Sequence, residues 1–147
     1  MSERSTPSGG RVLLLQRRLT HYRVPFFEAL RAALRRRGMA LSLGVGEPSA
    51  TERLRDDAGT LPWATPVRTR HWAGGRAAWQ TLGPLCADAD LVLLPQENRL
   101  LSNVPLLLRR SAFRVALWGH GQDMQAGPGL GAALAQYLWR SAVCDWS

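Results

Sequence analysis

The chain contains no lysine and no isoleucine; all 19 basic residues are arginine. Both missing residues have AT-rich codons, so GC-rich coding accounts for the choice of arginine without any appeal to phosphate recognition. Without lysine there is no Gly-Lys-Ser/Thr, and a P-loop is excluded. Cysteine is scarce: Cys86 and Cys144 lie far apart, with no CxxC spacing. That argues against a disulfide framework and for a reducing compartment. Cys86 falls in an apolar helical stretch, where a thiol behaves as a small hydrophobe. No His/Cys cluster has metal-ligand spacing, so neither metal nor cofactor is implied. No apolar run approaches the roughly 20 residues that span a bilayer. Residues 1–10 are rich in Ser, Gly and Pro and lack the apolar segment of a signal peptide, so they read as a flexible leader. A cytoplasmic location is expected.

What is present is one domain's worth of chain. Its 147 residues, 46% hydrophobic, can bury a substantial core, and residues 11–147 read as a single domain. Eleven acidic residues leave a formal charge of +8, and that excess needs a partner. An anionic membrane surface, a phosphorylated or diphosphate-linked substrate, and nucleic acid are the candidates. A nucleic-acid binder should interleave basic and aromatic residues on one surface or carry a reading motif. Neither is legible, so no nucleic-acid partner is expected. Arg35-Arg36-Arg37 and Arg17-Arg18 suit an anionic membrane at least as well.

The hydrophobic pattern predicts an α/β fold: an open parallel Rossmann-like sheet with helices on both faces. Arg11–Gln16 is nearly continuous in apolar residues, as a strand buried on both faces should be. Pro25 then opens a helix in which Phe26, Phe27, Leu30 and Leu34 form the apolar side and Gly38 the stop. A second strand follows at 41–45. Residues 47–66 read as an irregular loop with one helical turn near 52–55, and a short strand is expected near 66–69. His71 to Gly75 reads as a turn, and 76–87 as a helix broken at Gly83-Pro84. A strand at 91–94, a helix capped by Ser102 or Asn103 through Arg110, a strand at Arg114–Trp118 and a last helix at about 130–142 complete the reading.

In such sheets ligands bind beyond the carboxyl ends of the strands. His21-Tyr22-Arg23 follows the first strand, Gln96-Glu97-Asn98-Arg99 the strand at 91–94, and Gly119-His120-Gly121 the strand ending at Trp118. Glycines beside His120 allow a sharp turn and a close ligand approach. An imidazole can take a proton near neutral pH, so His21 suits a general base; it equally suits a residue that caps and packs the helix start. Arg23 is either an anion fork or a solvated charge. Gln96, Glu97 and Asn98 offer the donors and acceptors that sugar hydroxyls need, while Asn98 and Asn103 also fit turn and cap positions. Trp72 and Trp118 could stack on a sugar, though strand-end tryptophans are commonly core. His71 falls outside these three loops. Gly44-Val45-Gly46 and the Gly127/Gly129/Gly131 series do not complete a dinucleotide fingerprint.

Taken in order, residues 21–30, Leu94-Pro95-Gln96-Glu97-Asn98 and Leu117-Trp118-Gly119-His120-Gly121 resemble three segments of the N-terminal half of bacterial GT-B glycosyltransferases, nearest to glycosyltransferase family 4. The resemblance covers about residues 11–146. It implies the acceptor-side domain of an enzyme that moves a sugar from a nucleotide-activated donor to an acceptor hydroxyl, in cell-envelope or surface polysaccharide synthesis. The catalytic candidates become His120 and His21, and the substrate-binding candidates Tyr22, Arg23, Gln96, Glu97, Asn98, Gly119 and Gly121. The partners implied are a nucleotide sugar, held mainly by a second Rossmann-like half, and a sugar or lipid-linked acceptor. A peripheral place at the inner membrane face would follow. The family often has His-Asp where Gly121-Gln122 here separate His120 from Asp123. Residues 143–147 read as the approach to another strand, so the chain is expected to be a fragment, inactive alone. Asp88-Ala89-Asp90 mimics the metal motif of the other large glycosyltransferase fold but precedes its strand, and reads as a polar turn. The competing reading is a non-catalytic basic module bound to an anionic membrane or nucleic acid.

Overall fold

The computed structural model describes residues 9–108 and 112–119. Its elements are β1 (Arg11–Gln16), α1 (Val24–Arg36), β2 (Ala40–Gly46), α2 (Ala50–Arg53), β3 (Ala64–Val67), β4 (Thr69–Trp72), β5 (Ala77–Gln80), α3 (Gly83–Cys86), β6 (Leu91–Pro95), α4 (Asn103–Leu108) and β7 (Arg114–Trp118). Five strands form one parallel sheet in the order β3-β2-β1-β6-β7. The chain is α/β with a Rossmann-like open sheet, as its pattern predicts. Among the described residues no helix is long and apolar enough to cross a membrane.

The central position of β1 explains its composition. Successive side chains of a strand point to opposite faces. Leu13 and Leu15 therefore join Val92 and Leu94 against Leu82 and Cys86, with Leu106 and Leu107 of α4 on the same side. Leu14 joins Leu41 and Leu43 on the other face, where Phe27, Leu30 and Leu34 of α1 cover them. Helices on both faces leave β1 no solvent-facing side, hence the unbroken apolar run.

Helix α1 follows its sequence signals closely. Pro25 lies in the first turn, and Gly38, at φ 72°, closes the end. The Gly38 N–H donates to the Arg35 carbonyl and the Met39 N–H to the Leu34 carbonyl, both at 3.0 Å. Phe26 is the exception on the apolar side. It is half exposed and stacks on Trp118 with ring centroids 6.1 Å apart, while neighbouring Phe27 is fully buried.

Three expectations between residues 66 and 87 fail: the strand expected near 66–69 breaks at Arg68 into β3 and β4, the turn expected at 71–75 begins only at Ala73, and the helix expected at 76–87 is largely strand. Residues 76–87 do not form a broken helix: β5 pairs antiparallel with β4, and only Gly83–Cys86 is helical. The alternation of Ala78, Gln80 and Leu82, all buried, has period 2 and satisfies a strand. Helix-favouring alanines at 77 and 78 lose to tertiary pairing, because β5 also accepts a second neighbour. The Ala78 N–H donates to the Arg99 carbonyl at 2.8 Å and the Leu101 N–H to the Ala78 carbonyl at 2.9 Å. His71 and Trp72 likewise belong to β4, and the turn itself is Ala73–Gly75, with Gly74 and Gly75 at positive φ.

Candidate functional site

Strand β1 lies between β2 and β6, and the chain leaves it toward β2, so the strand order reverses between β1 and β6. A crevice opens at such a switch point beyond the carboxyl ends of the strands. The loops there are those after Gln16, after Pro95 and after Trp118.

The loop after β1 is held by charge. Arg17 reaches Glu52 of α2 through one terminal nitrogen and Glu97 through Nε, the latter at 2.6 Å. Because Glu97 follows β6, this pair spans the switch point. Arg18 grips Asp57 with both terminal nitrogens at 2.6 and 2.9 Å and lies 3.5 Å from Glu52. Glu52 is placed by its own helix start: Ser49 and Glu52 form a capping box, each satisfying the other's backbone N–H. Burial pushes the Glu52 carboxyl up, but the Ser49 N–H and hydroxyl and the Arg17 guanidinium outweigh it and hold the group at about 2. Asp57 is lowered by its hydrogen bonds from Arg18. Arg17 and Arg18 are thus answered by carboxylates and mostly covered, which takes them out of consideration as a membrane-docking pair.

His21 opens a short 3-10 turn, His21–Arg23. Its backbone N–H donates to the Asp57 carbonyl at 2.9 Å, and its ring Nδ1 approaches the same oxygen at 3.3 Å. A carbonyl can only accept, so in this contact Nδ1 carries the hydrogen and donates, and Nε2 makes no hydrogen bond among the described residues. The ring is exposed, with Tyr22, 63% exposed, edge-on to it at 5.9 Å. The Arg23 guanidinium lies over the Tyr22 ring at 5.8 Å and donates at 3.0 Å to Oε1 of Gln16, a buried amide at the end of β1. Gly59 passes close beside Thr20, where a Cβ would meet the carbonyl at 2.8 Å.

On the β6 side, the Gln96 N–H donates to the Trp118 carbonyl at 2.9 Å. Gly119 lies so close that a Cβ there would stand 2.8 Å from the Gln96 Cβ. Gln96 and Gly119 are therefore brought together, and Glu97 joins them to Arg17; Asn98 is exposed beyond. His120 and Gly121 lie outside the described residues, as do Asp123 and Cys144. Asn103, expected as a cap, instead donates from Nδ2 to the Pro95 carbonyl at 2.9 Å and steadies the end of β6.

His71 stands nearer this rim than its sequence position suggests. The β4–β5 hairpin folds over the end of β2, so that Nε2 of His71 donates to the Glu47 carbonyl at 2.9 Å and the Glu47 N–H donates to the Thr69 hydroxyl at 3.0 Å. Gln80, buried in β5, donates to the Gln16 carbonyl at 3.2 Å and ties the hairpin to β1. Gly46 makes room for this joint: a Cβ would land on Gln80 Nε2 and the Arg17 carbonyl. That packing, not a dinucleotide loop, accounts for the glycine. Asp88 and Asp90 sit on the opposite rim, paired with Arg11, and the Arg11 N–H donates to Asp90 at 2.7 Å.

Neither protein-family models, nor curated proteins, nor solved structures give a match to this chain.

The loop geometry therefore stands on its own. Sequence reasoning found His21, Arg23, Gln96 and Glu97 but missed Asp57, Gln16 and Arg17, which hold His21, Arg23 and Glu97 respectively, and Glu52, which holds Arg17. The capping-box spacing of Ser49 and Glu52 was the one local signal available for that network. Chemically, the rim offers an exposed imidazole whose Nε2 makes no hydrogen bond among the described residues, a guanidinium anchored at one nitrogen, and an amide beside a carboxylate. Such a set suits a polyhydroxylated ligand that loses a proton or carries an anion.

Proposed function

We propose that the chain is the acceptor-side half of a GT-B glycosyltransferase, acting on a sugar or lipid-linked acceptor in cell-envelope or surface polysaccharide synthesis. The observation that supports this is that the loops carrying His21 and Arg23, Gln96 and Glu97, and Gly119 all leave carboxyl ends of strands at the switch point of a parallel sheet, the first two tied together by the Arg17–Glu97 pair. In this reading Gln96 and Glu97 bind acceptor hydroxyls, and Arg23 faces an acceptor or donor phosphate. His21 Nε2 receives the hydroxyl proton as the sugar is transferred, with Asp57 holding the ring's tautomer. The resemblance gives His120, outside the described residues, a contact with the donor. The nucleotide sugar itself belongs mainly to a second Rossmann-like half.

Calorimetric titration of the chain with acceptor saccharides and nucleotide sugars tests the proposal. Saccharide binding is expected, weakened about tenfold, or ~1.4 kcal/mol, by either Arg23→Ala or Gln96→Ala. Nucleotide release by the 147-residue chain should not exceed the blank. Orientation across a cleft supplies roughly 7–11 kcal/mol of such a barrier, and that requires both halves. A broad saccharide panel of which no member binds would contradict the reading.

A further inference from the structure

The β4–β5 hairpin has an inner and an outer face. Thr69, Ala78 and Gln80 are buried inward, so the residues between them point out: Arg70 and Trp72 on β4, and Ala77 and Trp79 on β5. The neighbouring segment extends this surface, since Leu100 is buried beside Ala78 and leaves Arg99 and Leu101 outward. Trp72 is 48% exposed, Trp79 41% and Leu101 45%, three apolar groups on one surface. The charges that the hairpin itself carries are of one sign, the nearest acidic residue in contact with it being Glu47, which bonds through its backbone to the inward-facing Thr69 and His71. Residues 58–87 contain no aspartate or glutamate at all, and among the described residues Arg68, Arg70, Arg76 and Arg99 form no ion pair.

We propose that this outer face docks on an anionic lipid bilayer. Indoles partition to the headgroup boundary, with an apolar body and an N–H for the wet side. Arginines at an anionic surface add electrostatic attraction that salt screens. Basic and aromatic residues interleave on this face in a way the sequence did not reveal, which makes single-stranded nucleic acid the rival occupant; Leu101, an aliphatic group that a bilayer buries and a base does not stack on, favours lipid. Position favours the hairpin over Arg35-Arg36-Arg37. Those three end α1 beside Gly38, at the amino ends of the strands, so docking through them would turn the crevice away from the lipid. The hairpin sits on the crevice rim. The inference needs no glycosyl transfer and stands or falls separately from it.

The test is flotation with vesicles of phosphatidylcholine, with and without about 30% phosphatidylglycerol, over a salt series from about 50 to about 300 mM. The full chain should float with anionic vesicles only and be released by salt. Trp72→Ala/Trp79→Ala and Arg70→Gln/Arg76→Gln should each weaken binding about tenfold or more, while Arg35→Gln/Arg36→Gln/Arg37→Gln stays within about twofold. Should a hairpin variant unfold, amide hydrogen exchange on the parent decides: vesicles should protect residues 69–80 and 99–101. No binding to anionic vesicles, equal loss in the Arg35–Arg37 variant, protection elsewhere, or tighter binding of single-stranded RNA through the same face would each overturn the proposal.

Discussion

The loop after β1 and the β4–β5 hairpin lie on the same rim of the sheet, and both are rich in arginine. In the loop, Arg17 and Arg18 are nearly covered and meet Glu52, Asp57 and Glu97. In the hairpin, Arg70 and Arg76 are exposed beside Trp72 and Trp79, with no carboxylate in the surrounding thirty residues, 58–87. The same side chain does different physical work in the two places. Covered and paired, a guanidinium fixes geometry, because a desolvated charge left alone is costly. Exposed and unpaired, it contributes a field that a partner can feel. The formal charge of +8 is thus a poor guide until it is divided by region.

The largest effect that would break this contrast is at Glu52. Glu52→Ala removes the carboxylate shared by Arg17 and Arg18 and the acceptor for the Ser49 N–H, and is expected to cost about 3–5 kcal/mol in urea unfolding at neutral pH. A loss under about 1 kcal/mol would mean the loop is not held by charge.

Acid should produce the next effect. The Glu52 carboxyl is held at about 2, below the 4.5 of the ordinary group, so the folded state binds fewer protons than the unfolded one between those values. Its contribution is complete above pH 4.5 and is lost as pH falls toward 2; roughly 2–3 kcal/mol should disappear over that window. Glu52→Gln should flatten that part of the pH–stability curve. An unchanged slope would remove Glu52 as its source.

Gly46→Ala sharpens the comparison where the two regions join. A methyl there collides with Gln80 of the hairpin and with the Arg17 carbonyl of the loop, and 2.8 Å away it meets the Thr69 hydroxyl. A cost of about 1–3 kcal/mol is expected, with altered amide shifts in both β5 and the β1 loop. Shifts confined to one of them would show that the regions are not mechanically joined. The smallest effect belongs to Arg70→Gln/Arg76→Gln, whose thermal unfolding should stay within about 0.5 kcal/mol of the parent. Marked destabilisation would show that hairpin arginines are structural after all.

Four strands of the sheet were legible because each left an apolar trace; β3, at Ala64–Val67 where a strand was expected near 66–69, is a half-exposed edge with no such run. Arg11–Gln16 and Arg114–Trp118 match the observed strands, and β6 differs only by including Pro95. Both the crossover helix and its Gly38 stop rest on local signals that tertiary contacts do not override. The hairpin was hidden because Arg76-Ala77-Ala78 favours helix, and only pairing with β4 and the Arg99–Leu101 segment makes it a strand. At the site, position after a strand was enough to pick out His21, Arg23, Gln96 and Glu97. What holds them was not legible, since Arg17 to Glu97 is 80 residues of separation and no periodicity encodes it.

Whether the carboxyl-end crevice receives a sugar acceptor, as proposed, is open to direct measurement. The most direct test is an amide-resolved NMR titration of the labelled chain with acceptor saccharides. The account predicts shifts at Gln16, Arg17, Arg23, Gln96, Glu97 and Gly119, with the opposite rim at Arg11, Asp88, Asp90 and Arg114 silent. Shifts on that opposite rim, or none at the crevice with saturating saccharide, would contradict it.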